Sequence, residues 1–156
     1  IIFGDQNEWE VASGVPHIPF EALDENYEID KEAYLEYFRK MHKLFPKCKK
    51  MVMAVRNQIA SSHHTLSGLL YDSQEDKLYT TRIYDIQPII DPMGVGDAFV
   101  AAYIHAHQKW GDENQYCLDF SLSASAIKNT IPGDQNLVSE EEIIHNMTSS
   151  GGRIQR

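Results

Sequence analysis

The sequence predicts an α/β fold in which helices pack on a β-sheet. Short apolar runs alternate along the chain with longer segments whose apolar residues recur at helical spacing. The chain has 156 residues, of which 42% are hydrophobic and 24% charged. That composition is typical of a globular protein rather than a disordered one. We therefore expect one domain, or part of one, with a real hydrophobic core.

The first half of the chain is predicted to hold four strands and two helices. Gly14 is expected to close the first helix, Asp30 to cap the second and Pro46 to end it. Apolar residues at helical spacing support the second helix, and a short apolar run marks the first buried strand after it. In order, the predicted elements are a strand over 1–3, helices over 7–13 and 30–45, a strand over 50–55, and a hairpin with strands over 65–71 and 77–83.

The second half is predicted to be mainly helical. After a short strand over 88–90, two glycines precede a helix that runs to about residue 110. A second helix runs from about 113 to 129 and is broken at Pro132 and Gly133. Ser139 and Glu142 form the pattern of a capping box that opens a third helix. No internal repeat appears and nothing marks a second domain.

The charge balance excludes several classes of partner. Fourteen basic and twenty-three acidic residues give a net charge of −9, which disfavours nucleic acid and acidic membranes because both need a basic face. No apolar run reaches about 18 residues, so no membrane-spanning helix is predicted. Acidic residues near the start argue against a signal peptide, and Cys48 and Cys117 are predicted to be free thiols of a cytosolic protein. The first residue, Ile1, lies within an apolar run, which resembles a strand entered midway and leaves open that the chain is cut.

The segment Asp91–Phe99 carries the most specific pattern. A strand ends, Gly94 and Gly96 turn the chain, and a helix begins. Successive backbone N–H groups at such a helix start bind anions, and glycines allow a phosphate to approach closely. A carboxylate beside a bound phosphate repels it, so a carboxylate at this position indicates a chemical role. For Asp97 that role is to take a proton from an attacking hydroxyl.

Other interpretations of this segment are open or excluded. Asp97 could be an ordinary capping aspartate after a glycine turn. A dinucleotide-binding loop is excluded because Phe99 stands where a third small residue is needed. A P-loop is excluded because no Gly-Lys-Ser/Thr follows. The histidine pairs do not predict a metal site, because His63 and His64 adjoin a strand and His105 and His107 are two apart on a helix.

Asp91-Pro-Met-Gly-Val-Gly-Asp-Ala-Phe resembles the second signature of the ribokinase-like (PfkB) sugar kinases. Asn7-Glu-Trp-Glu10, followed by Gly14, is similar to the Asn-x-x-Glu motif of the same family. The segments 123–139 and 151–156 resemble its 2-keto-3-deoxygluconate kinase branch. The resemblance implies a three-layer α/β fold, in which residues 1–156 are the C-terminal, nucleotide-binding portion of one kinase domain and the sugar-binding and lid half is absent.

The resemblance also implies a reaction. ATP, with Mg²⁺, phosphorylates 2-dehydro-3-deoxy-D-gluconate to its 6-phosphate, and K⁺ is a further candidate cofactor. The alternatives are another sugar kinase of the family, such as a ribokinase or fructokinase, or an inactive nucleotide-binding fragment; a homo-oligomer or a missing N-terminal half is left open. The resemblance implies that Asp97 is the general base and contacts the substrate, and that Gly94, Val95, Gly96 and Asp97 form an anion hole for the transferred phosphate. It implies that Asn7 and Glu10 organise Mg²⁺ and that Arg56 and Leu122 contact the nucleotide. It also implies that Asp134 contacts the substrate and that Asp91 lies near a monovalent cation.

Several positions depart from the family pattern. Pro92 replaces the usual Thr, Ala54-Val55-Arg56 replaces a Thr-Leu-Gly or Thr-Leu-Arg loop, and Leu122 replaces an Asn near the adenine. Lys128, late in the second long helix, is interpreted as a surface residue. Because a sheet cut through its middle has an exposed edge and an unburied face, the chain is expected to be unstable alone or to depend on a missing partner segment.

Overall fold

The computed structural model describes residues 1–18 and 28–149. Strands and helices alternate as the hydrophobic pattern predicts, with a sheet in the first half and three helices in the second. The elements are β1 (Ile2–Gly4), α1 (Gln6–Ser13), α2 (Lys31–Leu44), β2 (Lys50–Ala60), β3 (His63–Asp72), β4 (Lys77–Thr80), β5 (Tyr84–Ile86), α3 (Val95–Trp110), α4 (Asn114–Lys128) and α5 (Glu140–Thr148).

The five strands form one mixed sheet. Its order is β1-β2-β3-β4, and β5 pairs with β3 next to β4. β1 runs parallel to β2, with Gly4 opposite Met53, while the other pairs are antiparallel. Since β1 stops at Gly4 and β2 continues beyond it from Ala54, this offset leaves room for a cleft at the carboxyl end of β1, beside the middle of β2.

Helices cover both faces of this sheet, as a three-layer α/β fold requires. Alternate residues of β2 point to opposite faces, so Val52 packs with α3, α4 and α5 while Met51 and Met53 pack with α1 and α2. Phe38 of α2 is fully buried on the second side. The expectation of an unburied face is therefore wrong for the described residues, because α2 shields the side that α3 and α4 leave open.

The helix ends follow local chemistry. Asp5 and Ser139 each form a capping box at the start of α1 and α5, and Asp30 caps α2. Gly14 ends α1 with φ of 72°, a left-handed conformation that glycine adopts without strain. All five helices were predicted from the sequence, and their bounds agree to within a few residues.

One predicted strand is wrong. Residues 88–90 are not a strand; Ile89 donates its backbone N–H to the Ser62 carbonyl, and Ile90 donates to the carbonyl of Asn129, so the segment crosses between the β2–β3 turn and α4. The predicted hairpin is confirmed, since β3 pairs with β4, but β3 also pairs with β2 over a longer stretch. This longer hairpin is not apparent in the sequence because its tip, residues 57–64, is mostly polar.

α4 is the central helix, and its burial corrects the interpretation of Lys128. Every residue from Phe120 to Lys128 is buried, and the Lys128 side chain has no exposed surface. Serines fit this position because their hydroxyls bond to neighbouring backbone: Ser121 donates to Phe99 at 2.5 Å and Ser123 to Ile143 at 2.9 Å. Lys128 is therefore a core residue.

Other sequence predictions are confirmed or lie outside the described residues. Cys48 and Cys117 are free and buried. Among residues 1–18 and 28–149, no helix combines the length and apolar character needed to cross a bilayer. The tail segment 151–156, which contributed to the resemblance, falls outside the described residues.

Candidate active site

The start of α3 is built to receive an anion. Gly94 is its N-terminal cap, with φ of 73°, and it provides no side-chain hydrogen bond to the helix. The Ala98 N–H bonds to the Gly94 carbonyl at 2.9 Å, so the N–H groups of Val95, Gly96 and Asp97 precede the first intrahelical bond. A Cβ atom at Gly96 would meet nothing within 4 Å. The turn therefore presents open backbone donors at the positive end of a 16-residue helix.

A second loop holds this turn in place. The Asp91 carboxylate accepts from the N–H of Met93 at 2.9 Å with one oxygen and from the N–H of Gly133 at 2.8 Å with the other. The Asp134 carbonyl lies so close to Gly94 that a Cβ there would overlap it. We call segments 91–94 and 129–134, joined by these contacts, the loop clasp. It fixes the path of the chain into α3.

An open cleft of about 370 Å³ lies in front of the turn. Four of the predicted site residues line it: Asn7, Arg56, Val95 and Gly96. They meet because Asn7 follows the end of β1 and Arg56 lies where β2 extends past that end. The start of α3, which carries Val95 and Gly96, lies beside the same part of the sheet. The complete lining is Asp5, Gln6, Asn7, His17, Ala54, Val55, Arg56, Leu66, Pro92, Val95, Gly96 and Ser125.

The structure adds cleft residues that were not predicted as site residues. Gln6 is buried, its amide nitrogen donates to Tyr34 at 2.7 Å, and within the described residues its Oε1 has no hydrogen-bond partner. Ser125 reaches the cleft from α4, where its hydroxyl donates to the Val95 carbonyl at 3.1 Å. The sequence signal for Gln6 was its position beside Asn7 at a strand end, whereas Ser125 had none because α4 resembles a plain core helix.

Glu10 is engaged by a neighbour. Its carboxylate accepts from the backbone N–H of His17 at 3.1 Å and also bonds to the His17 ring. These backbone and ring contacts hold the pKa of Glu10 below its ordinary value. His17 lines the cleft and Glu10 does not, so a negative charge is held just behind the cleft wall.

The remaining predicted residues occupy different places. Asp97 is exposed in the first turn of α3. Asp91 belongs to the first segment of the loop clasp. Asp134 belongs to the second segment, where it is exposed and its backbone carbonyl lies against Gly94. Leu122 has no exposed surface and lies in the core between α4 and the sheet. The structure thus does not bring Leu122 to the cleft, because α4 packs that side chain inward.

The donors present suit a water-linked divalent ion rather than a direct metal cage. Among the described ranges, no three His, Cys, Asp or Glu side chains are grouped to hold a metal. The cleft instead offers the amide oxygen of Gln6, with the exposed Asp5 and Asn7 beside it. Mg²⁺ keeps several waters and takes few protein oxygens when phosphates supply the rest. The residues present therefore fit that ion when it arrives with a nucleotide.

Comparisons with known proteins give structural neighbours only. No protein-family model and no curated protein matches the chain. A solved 2-dehydro-3-deoxygluconokinase of Thermotoga maritima superposes with a TM-score of 0.78 and 24% identity, over 94% of this chain and 40% of that one. A PfkB family carbohydrate kinase of Listeria grayi superposes with a TM-score of 0.69 and 26% identity, over 81% of this chain and 37% of that one. Plasmodium falciparum PdxK, solved with AMP-PNP and PL, superposes with a TM-score of 0.52 and 19% identity, over 96% of this chain and 46% of that one.

The chain spans about 40% of the length of the first of these neighbours. The likeness to that neighbour covers nearly all of this chain. The structural neighbours thus include PfkB-family carbohydrate kinases, and the chain has the α/β architecture of one part of a ribokinase-like kinase fold.

Proposed function

We propose that this chain carries the nucleotide-binding and phosphoryl-transfer portion of an ATP-dependent carbohydrate kinase. One observation carries the proposal: the uncapped start of α3 faces a cleft lined by Arg56 and Asn7, in a fold portion shared with a 2-dehydro-3-deoxygluconokinase. A bound ATP analogue in the PdxK neighbour supports a nucleotide as the ligand.

The backbone of Gly94–Asp97 binds the transferred phosphoryl group in this proposal. Its N–H groups point from a helix N-terminus, where the helix dipole favours negative charge. Arg56, exposed at the cleft, contributes a fixed positive charge to the other phosphates. Donors held in place before the reaction stabilise the charge that develops on the phosphoryl oxygens.

Asp97 is the proposed general base. It removes the proton from the acceptor hydroxyl as that oxygen forms a bond to the γ-phosphorus. The bond from the γ-phosphorus to the bridging oxygen breaks, and ADP leaves with the electron pair. The proton stays on Asp97 until it is released to solvent. Asp134 is proposed as a further substrate contact, since its loop is clasped to the same turn.

Mg²⁺ neutralises phosphate charge when it is bound with the nucleotide. Asn7 and Gln6 offer oxygens to the ion or its waters, while Glu10, paired with His17, supplies negative charge behind them. Leu122 has no contact with the nucleotide in this proposal, because it is buried in the core away from the cleft.

The proposed substrate is 2-dehydro-3-deoxy-D-gluconate, phosphorylated on its 6-hydroxyl. The support is the Thermotoga maritima neighbour together with the resemblance of segments 123–139. Another sugar of the PfkB class is the alternative, favoured by the Listeria grayi neighbour, whose substrate is not specified beyond carbohydrate.

The test is ADP release from ATP and Mg²⁺, with and without 2-dehydro-3-deoxy-D-gluconate, for the wild-type chain and for Asp97→Asn. We expect sugar-dependent release that falls by about 10²–10⁴-fold in the variant, the contribution typical of a general base. Asn keeps the size and exposed position of Asp97, so AMP-PNP affinity should be retained. Equal sugar-dependent rates in both proteins would exclude Asp97 as the base, and turnover only with other sugars would change the substrate.

A further inference from the structure

The buried ammonium group of Lys128 is a charge that the proposed chemistry does not use. The side chain lies at the end of α4 with no exposed surface. Its Nζ donates to the Ile131 carbonyl at 3.0 Å, the hydrogen bond that it makes within residues 1–18 and 28–149. Lysine is almost never fully buried unless its charge is compensated, because desolvation of the ammonium is costly.

The surroundings of Lys128 supply negative charge that compensates its ammonium group. The carbonyl ends of a helix carry partial negative charge, and Lys128 is the last residue of α4. The Asp91 carboxylate supplies a full negative charge nearby. The N–H groups of Met93 and Gly133 hold the pKa of Asp91 below its ordinary value, and the charge of Lys128 adds to this effect. Carbonyl and carboxylate oxygens are also the ligands that hard metal cations take.

A short series of contacts connects this ammonium to the start of α3. Lys128 bonds to the Ile131 carbonyl, and the Ile131 N–H returns a bond to the Lys128 carbonyl at 3.0 Å. Two residues on, the Gly133 N–H reaches Asp91. The next carbonyl, that of Asp134, packs against Gly94. Lys128 therefore contacts one segment of the loop clasp directly, and that segment contacts the other.

We infer that Lys128 is a positioning residue, whose ammonium group serves as a built-in cation that holds the loop clasp and removes the need for bound K⁺. The part of this inference that concerns phosphate binding rests on the proposed function, whereas the part that concerns the cation does not. It replaces the expectation of a monovalent ion near Asp91 with a charge that the chain itself provides. The Gly94–Asp97 turn keeps its shape in any monovalent salt.

The test compares the wild-type chain with Lys128→Met, which keeps an unbranched side chain one atom shorter and removes its charge. Thermal midpoint and AMP-PNP–Mg²⁺ affinity are measured at equal ionic strength in KCl and in tetramethylammonium chloride, whose cation is too large for the site. We expect the wild type to be the same in both salts. The variant should bind about tenfold more weakly in tetramethylammonium chloride, the loss expected for one buried hydrogen bond to a charged group.

Potassium rescue distinguishes the inference from a purely structural role. In KCl the variant should regain most of its affinity and its thermal midpoint should rise, because an ion that binds only the folded state stabilises it. Lys50→Met is the matched control: Lys50 is also buried, and it bonds to Asp112 and Asn114, neither of which belongs to the clasp. That variant should be less stable than the wild type in both salts and show no preference for K⁺.

Three results would overturn the inference: a wild type that needs K⁺, a Lys128→Met variant that K⁺ does not rescue, or equal rescue of Lys50→Met. Should Lys128→Met not fold in tetramethylammonium chloride, the wild-type comparison and the Lys128→Gln variant, which can still donate to Ile131, decide the question. A wild type that binds no AMP-PNP would contradict the proposed function alone, since the thermal midpoints still test the cation.

Discussion

At the scale of single residues, the account depends on two glycines that do different work at the start of α3. Gly94 has a positive φ, and a Cβ there would overlap the Asp134 carbonyl. Gly96 has ordinary helical geometry, and a Cβ there would project into open space. The first glycine is therefore needed by the fold, and the second by whatever approaches the helix.

Gly96→Ala should leave the fold intact and weaken nucleotide binding. Alanine replaces glycine in a helix with a gain of roughly 0.5–1 kcal/mol, while its methyl group keeps a phosphate from the backbone N–H groups. We expect AMP-PNP affinity to fall about tenfold or more, the loss of one charge-assisted hydrogen bond. Isothermal titration calorimetry and urea unfolding measure the two effects separately.

Gly94→Ala is the matched control and should show the opposite order of effects. Backbone strain at a positive φ alone costs about 1–3 kcal/mol, and the overlap with Asp134 adds to it. Urea unfolding should therefore report a clear loss of stability. If both alanine variants unfold at the wild-type urea concentration and bind nucleotide equally well, the assignment of roles to the two glycines is wrong.

Sequence reasoning worked at residues whose local chemistry is distinctive and did not work at residues defined by packing. Gly14, Asp30 and Ser139 were predicted because caps follow from side-chain type and position. Lys128 was wrongly assigned to the surface because lysine is rarely buried. Nothing in its neighbours reveals that α4 is enclosed by α3, α5 and the sheet.

At the scale of elements, α2 is attached to the sheet by a charged contact as well as by its apolar face. Arg39 of α2 forms a paired contact with Asp76 at the β3–β4 turn, at 2.9 and 2.6 Å, and Asp76 also accepts from the Tyr71 hydroxyl at 2.8 Å. These bonds from Arg39 and then Tyr71 lower the pKa of Asp76 from 3.8 to about 2.

Asp76→Asn should remove one part of the acid sensitivity of the fold. Because the folded pKa lies below the unfolded one, the contact stabilises the protein fully above about pH 4 and loses its effect as the pH falls towards 2. Asn tolerates the positive φ of 49° at this position. Urea midpoints between pH 5 and pH 2.5 should fall less steeply in the variant, and parallel curves would contradict the assignment.

Phe38→Ala should test how far α2 holds the second face of the sheet. Phe38 is fully buried and packs against Tyr71 and Trp9, with ring centroids 5.8 and 5.5 Å away. A cavity of this kind costs about 3–5 kcal/mol. Leu44→Ala, on the exposed end of the same helix, should change the free energy of unfolding by less than about 0.5 kcal/mol. Comparable losses in the two variants would show that α2 is not a structural layer.

The helices were easier to predict than the sheet because they carry their own boundaries. Each helix has a cap or a breaker within a few residues of its end, whereas strand pairing depends on residues distant in sequence. The β2–β3 hairpin shows the difference: Lys50 pairs with Asp72, and its polar tip extends past the apolar run that marked the strand. The cleft could not be predicted in detail for the same reason, since its walls come from α1, β2, α3 and α4.

At the scale of the whole molecule, one side of the sheet is left without a partner strand. Within the described residues, β1 pairs only with β2. An apolar cleft of about 470 Å³, lined by Ile1, Ile2, Phe45, Pro46, Lys47 and Cys48, lies at the same edge. Unpaired strand edges promote association between chains. We therefore predict that the expected instability of the isolated chain arises at this edge.

Sedimentation velocity can test that expectation. The isolated chain should show concentration-dependent association, and Ile2→Lys, which places a charge at the edge, should reduce it. Ile59→Lys, at an exposed position of the distant hairpin tip, provides the control. Association that is unchanged by Ile2→Lys, or reduced equally by Ile59→Lys, would place the contact elsewhere.

The central claim is that nucleotide phosphates bind to the backbone at the start of α3. The most direct test is to follow backbone amide chemical shifts while AMP-PNP and Mg²⁺ are added to the wild-type chain. The account predicts that the amides of Val95, Gly96 and Asp97 shift most, saturate together with that of Arg56, and shift less in Gly96→Ala. Saturable binding that leaves these amides unmoved, or no saturable binding at millimolar nucleotide, would contradict it.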